Sequence, residues 1–130
     1  MYALDSNTII YLFKGLGRVP LNFLRTPPRE ISVPSVVIHE LETGIAKSQS
    51  PDATRLPLDE LLSRATVLPF GLAEARASAR ARAVLEKSGR PIGPLDILIA
   101  GTALSHGATL VTHNVKEFGR VDGLTIVDWF

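Results

Sequence analysis

Apolar residues along this chain fall into short runs that alternate with stretches of helical spacing. "YALD" at 2–5 is apolar until it stops in acid, and "SNTIIYLFKG" at 6–15 follows as a helix stopped by glycine. "RVPLNFLRTPP" is interrupted by prolines, and "REISVPS" at 29–35 predicts a second short strand whose Pro34 and Ser35 suit a helix entry. In "SVVIHELETGIAKS" that follows, Val37, Leu41 and Ile45 share one helical stripe. "PDATRLPLDELLSRA" predicts another helix, entered through Pro51 and Asp52 and weakened by Pro57. "TVLPF" at 66–70 fits a third strand, and the alanine-rich "GLAEARASARARAVLEKSG" at 71–89 is a long helix with a glycine stop. "PLDILIAGTALSHG" is apolar nearly all round, the pattern of a buried helix, and "ATLVT" at 108–112 and "LTIVDW" at 124–129 close the chain as strands.

Strands alternating with helices at this spacing predict βαβ units: an α/β fold with a parallel sheet and helices on both faces. The 130 residues make one domain, 1–130, long enough to bury a core without staples. Hydrophobic residues at 45% and charged ones at 21% are a globular composition, not a disordered one. With no cysteine, nothing depends on disulfides or thiolate ligands, and the expected location is the cytoplasm. Asp5 stands where a leader would carry basic residues, and no apolar run has the length of a membrane span, so neither a signal peptide nor an anchor is expected. A net charge of +1 neither implies nor excludes nucleic acid, because steering depends on where charges sit.

Ligands of open parallel sheets bind beyond the carboxyl ends of the strands. Asp5 ends the first strand, Asp96 sits in the first turn of the buried helix, and Glu40 borders the apolar stripe of the helix after strand two, whereas His39, Glu42 and Thr43 project away. On a helical wheel Asp96 neighbours Ile99, Ala100 and Ala103, with no local cation. A bare carboxylate there is costly unless it is paired, protonated or bound to metal. Taken singly, Asp5 fits a helix N-cap, Glu40 a rim salt bridge and Asp96 a partner of the helix dipole. None of these readings explains why all of them fall at the ligand edge. A divalent cation does, and hard oxygen donors favour Mg²⁺ or Mn²⁺ over zinc. Such a site suits phosphodiester hydrolysis.

"YALDSNTIIYLFKG", "ISVPSVVIHELETG", "GRPIGPLDILIAGTALSHGATLVTHNVKEF" and "GLTIVDW" together resemble the PIN-domain ribonucleases, specifically the VapC toxins of bacterial type II toxin–antitoxin pairs. The resemblance runs nearly end to end, weakest through 51–70 and strongest at 89–118. It implies a PIN-like three-layer α/β/α sandwich with a short-stranded, mainly parallel sheet. It also implies an Mg²⁺- or Mn²⁺-dependent endoribonuclease acting on structured RNA such as tRNA, usually a homodimer, inhibited by a VapB antitoxin whose tail enters the active-site groove. Asp5, Glu40 and Asp96 fall on the family's first three acidic positions, and Ser6, Asn7 and Thr112 on its supporting polar ones. Asn114 stands at the fourth acidic position, an amide that can ligate through its carbonyl or a water but adds no charge. Glu117, one turn later, could supply that charge, but a solvated surface glutamate is the expected reading.

Other motifs fail or are weaker. "HELET" begins like a zinc-protease helix, but Thr43 stands where the second histidine belongs. His39, His106 and His113 are expected at the surface, His113 alone near the site. "GLGRVP" and "GRPIGP" lack the phosphate-loop lysine and read as turns. Arg76, Arg80 and Lys87 form a solvated helix stripe, while Lys14 and Arg90 flank the site segments and are the RNA-contact candidates. "PLNFL" and "LDELL" fit either core or a dimer surface. Two rivals stand beside the nuclease: a receiver-like phosphoacceptor, which needs paired acids after strand one, and a PIN fold that binds RNA or a partner without cutting.

Overall fold

The computed structural model describes residues 1–130. β1 (Tyr2–Leu4) leads into α1 (Ser6–Lys14) and α2 (Val19–Leu24), and a 3₁₀ turn at Pro28–Glu30 precedes β2 (Ile31–Pro34). α3 (Ser35–Lys47) and α4 (Asp52–Leu62) follow, then β3 (Thr66–Leu68), α5 (Leu72–Lys87), α6 (Pro94–His106), β4 (Thr109–Val111), α7 (Val115–Phe118) and β5 (Ile126–Val127). The predicted strands are all present but shorter, and the first ends at Leu4, one residue before Asp5. α2 and α7 were not expected, whereas α4 is the helix expected after Pro51 and Asp52. α2 forms in the proline-interrupted segment because Pro20 lies in its first turn, where no amide hydrogen is needed. α4 runs unbroken through Pro57.

The five strands pair in the order β3-β2-β1-β4-β5, all parallel, with Tyr2 opposite both Ile31 and Thr109 and Leu110 opposite Ile126. This order differs from the 2-1-3-4-5 of flavodoxin-like sheets, which removes the receiver-like rival. The inner strands carry apolar side chains on both faces: Ala3, Leu4, Val33, Leu110 and Val111 are all fully buried. Right-handed crossovers carry the chain first toward β3 and later toward β5, which puts α1 to α4 on one face and α5 to α7 on the other. The direction reverses between β1 and β4, so a crevice opens there at the carboxyl ends of the strands.

α5 and α6 pack closest of all the helices. A Cβ on Gly101 would lie 2.4 Å from Ser78 Cβ and 2.6 Å from its Cα, so only glycine fits at this contact. The far end of the pair is tied by Glu74, which accepts from the Gly71 amide at 2.8 Å and from Ser105 Oγ at 3.2 Å and lies 2.9 Å from His106 Nε2. His106 is therefore not the fully exposed histidine expected: its side chain, 27% exposed, lies against the Glu74 carboxylate. These bonds, led by that from Gly71, hold the Glu74 carboxyl below its ordinary range. No helix is long and apolar enough to cross a membrane.

Candidate active site

Asp5 leaves β1 at the centre of the sheet and caps α1: its Oδ1 accepts from the Thr8 amide at 2.9 Å. The N-cap reading holds, and the same residue also lines the acid pocket at this edge. It is 6% exposed, and burial pushes its carboxyl above the usual range, with hydrogen bonds from Thr112 and Thr8 opposing and the charge of Asp128 adding to the rise. Thr112, fully buried at the end of β4, also accepts from the Asn114 amide at 3.0 Å and so fixes the turn into α7.

Glu40 projects from α3 toward the start of α1, where Ser6 Oγ donates to its Oε1 at 2.6 Å. Glu42 turns away, as expected, into a bidentate pair with Arg55. Asp96 lies in the first turn of α6, half-buried, with Oδ2 folded back 2.9 Å from where a Cβ on Gly93 would stand. Every influence on its carboxyl raises it: burial first, then the charges of Glu40, Glu117 and Asp5. None of Asp5, Glu40 and Asp96 joins an ion pair.

These side chains line one pocket of about 90 Å³ together with Ser6, Asn7, Asn114, Ile99 and Phe118. That is room for about three waters. Larger hollows lie elsewhere, one of about 690 Å³ beside Arg76 and Arg80 and one of about 380 Å³ between α1, α2 and α4, but neither gathers groups of one charge. Lys14 and Arg90 are exposed and do not line the acid pocket; Lys14 sits about 12 Å along α1 from Ser6.

Glu117 differs from expectation. It is half-buried, accepts from Asn114 Nδ2 at 3.0 Å and acts on Asp96 by its charge, although it does not line the pocket itself. The spacing Asn114 to Glu117, one turn of a short helix, was the available signal. Asp128 gave none. It reaches Asp5 only through the pairing of β5 with β4, and it holds His113 Nδ1 at 2.9 Å.

The donor set suits a hard divalent cation: oxygen donors only, like charges facing one another, and raised proton affinity at Asp5 and Asp96. As the side chains stand here, no three of the acidic or histidine groups come close enough together to hold a metal ion.

A sheet of order 3-2-1-4-5 with acids from β1, α3 and α6 at its carboxyl edge defines a class, and the PIN-domain family model matches residues 2–124. The chain belongs to the PIN-domain family. Its relatives there include the tRNA(fMet)-specific endonuclease VapC of Shigella flexneri, 36% identical over 128 residues that cover 98% of this chain and 97% of that protein. Among solved structures, DNA-bound VapBC from Salmonella typhimurium matches with a TM-score of 0.91 at 34% identity, and VapBC2 from Rickettsia felis, bound to a DNA fragment from their promoter, with 0.90 at 33%. Each match covers 99% of this chain and 98% of the other.

Proposed function

We propose that the chain is an endoribonuclease toxin of the VapC kind: it hydrolyses RNA phosphodiester bonds at the acid pocket and is neutralised by a VapB-type antitoxin. The observation that carries the reading is Asp96, a half-buried carboxylate with no cation partner, which shares one pocket at the sheet's carboxyl edge with Asp5 and Glu40 and also feels the charge of Glu117. The likeness to VapC ribonucleases over nearly the whole chain, and to VapBC complexes in structure, supports both the activity and the partner.

Asp5, Glu40 and Asp96 would hold Mg²⁺ or Mn²⁺, which supplies the power to polarise a water and to stabilise charge on the attacked phosphate. The chain's own residues do the positioning. Ser6 orients Glu40 through its hydroxyl, Thr8 and Thr112 orient Asp5, and Gly93 leaves room for the Asp96 carboxylate. Asn114, directed by its bonds to Thr112 and Glu117, offers its carbonyl oxygen to a water or ligand. Asn7, exposed at the pocket rim, is placed to meet the RNA backbone. Because the Shigella flexneri relative is named for tRNA(fMet), tRNA is the substrate to try first. A homodimer in a cytoplasmic setting completes the reading.

The test is cleavage of tRNA and of total RNA by the purified chain in Mg²⁺, in Mn²⁺ and in EDTA, with the new 5′ ends sequenced. Discrete cleavage in either metal that EDTA abolishes, and that the antitoxin suppresses, is expected. Intact RNA in both metals would leave a PIN fold that binds without cutting.

A further inference from the structure

Beside the acid pocket stands an exposed aromatic pair, backed by Tyr11 at the edge of the core, that the pocket chemistry does not account for. His113 and Phe130 stack, with ring centroids 4.4 Å apart and planes 25° from parallel. Tyr11 meets both edge-on, at 6.1 and 5.1 Å. The pair is open to solvent: the His113 side chain is 47% exposed and Phe130 40%.

Exposed aromatics are normally mobile, but this pair is pinned. Asp128 holds His113 Nδ1 through Oδ2 and the Phe130 amide through Oδ1, each at 2.9 Å. The Arg18 amide donates to the Phe130 carbonyl at 2.7 Å. Gly17, at φ +59°, lets Phe130 sit so close that a Cβ there would lie 2.9 Å from Phe130 Cγ. Fixing a large apolar ring at the surface costs conformational freedom with little burial in return, whereas a rigid ring pair is preorganised to bind a flat partner.

The location says which partner. His113 immediately precedes Asn114, which lines the acid pocket, and the Asp128 that holds it is near enough to act on the charge of Asp5. Along α1, Asn7, Tyr11 and Lys14 share one face at i, i+4 and i+7, so a strand leaving the pocket past Asn7 meets the rings and then a cation. Lys14 and Arg18 are in no ion pair. Cations beside rigid aromatic faces are how proteins hold single-stranded nucleic acid, because every base offers a π-face.

We infer that the His113–Phe130 stack, backed by Tyr11, receives an unpaired nucleobase of the RNA close to the bond being cut, and so positions the strand across the acid pocket. This rests on the ribonuclease reading. It selects single-stranded loops over continuous duplex, since a paired base cannot join the stack.

The experiment uses full-length chain carrying Asp96→Asn, so that RNA is not consumed, and short single-stranded RNAs with one 2-aminopurine scanned along the sequence. Quenching at one position is expected. His113→Ala added to this background should weaken binding about 5- to 150-fold. His113→Phe, which keeps a ring but loses the bond to Asp128, should recover most of that binding, short of the unsubstituted background by no more than the lost pinning. An abasic nucleotide at the quenched position should remove the difference between the variants. No quenching at any position, unchanged binding by His113→Ala, or a His113→Phe as weak as His113→Ala would overturn the inference, the last by showing that the hydrogen-bonded latch matters and the ring does not. Cleavage by the wild-type chain is scored separately: a chain that cuts RNA while His113→Ala binds unchanged refutes the stack alone, and one that cuts none refutes the ribonuclease reading.

Discussion

Gly93 shows how a residue with no chemistry of its own can set the chemistry of a neighbour. The Asp96 carboxylate occupies the space a Cβ at position 93 would need, with Oδ2 2.9 Å from it. Gly93→Ala displaces the end of a flexible side chain and not a piece of backbone, so the fold should tolerate it. The carboxylate would move by a fraction of an ångström or more, and active sites lose about 10- to 100-fold for such shifts. Steady-state cleavage and a melting curve on the same preparation check this: activity down by that factor with little change in Tm is expected. The protonation of Asp96 gives a second residue-scale expectation. Burial and the charges of Glu40, Glu117 and Asp5 raise its carboxyl above the ordinary 3.8, so the folded chain binds that proton more tightly than the unfolded chain. Its contribution to stability is full below the unfolded value and is lost as pH rises through the folded one. Without divalent cations, Asp96→Asn should therefore melt a few degrees above wild type at neutral pH, and the gap should close toward pH 4. A gap that is absent at neutral pH, or that widens in acid, would contradict the crowding of charge described for the pocket.

At the scale of elements, the contact of α5 with α6 fixes where Asp96 stands. Gly101→Ala would place a methyl 2.6 Å from Ser78 Cα and N, atoms of backbone that cannot swing aside. Overpacking of this sort costs about 3 kcal/mol, a drop in Tm of roughly 10 °C for a chain of this size. Trimming Ser78 to glycine as well should not restore it, because the backbone contacts remain; thermal unfolding of the single and double variants reads this directly. The same scale explains what was legible in the sequence. α3, α5 and α6 show their period or composition over a dozen residues or more, and β1, β2 and β4 show as apolar runs because both faces of the sheet are covered. α7 spans four residues, too few for a period, and α2 hides among prolines that its first turn accommodates. The gathering of Asp5, Glu40 and Asp96 at one edge was legible because Asp5 follows a strand, Asp96 lies in the first turn of a helix, and Glu40 borders the apolar stripe of the helix after β2. The charge that Glu117 brings near Asp96 and that Asp128 brings near Asp5 was not legible, since what places them is the turn fixed by Thr112 and the pairing of β5, which are tertiary facts.

For the whole molecule, the switch in strand order between β1 and β4 is what turns separate acids into one site. Residues 5, 40 and 96 lie far apart in the chain and meet because crossovers run both ways from the centre of the sheet. The aromatic stack, the pocket and the helix start at Ser6 share that edge, while the hollow beside Arg76 and Arg80 lies away from it. The chain's single tryptophan, Trp129, is 7% exposed and packs on Tyr2, so its fluorescence reports whether sheet and edge are intact in any variant. The most direct measurement compares purified wild type with Asp96→Asn in RNA cleavage with Mg²⁺, each shown by circular dichroism and Trp129 emission to be folded. Loss of cleavage by about 10²- to 10³-fold or more in a folded Asp96→Asn is expected for a carboxylate that works in the reaction. A folded Asp96→Asn that cuts RNA at the wild-type rate would contradict the assignment of this pocket as the active site.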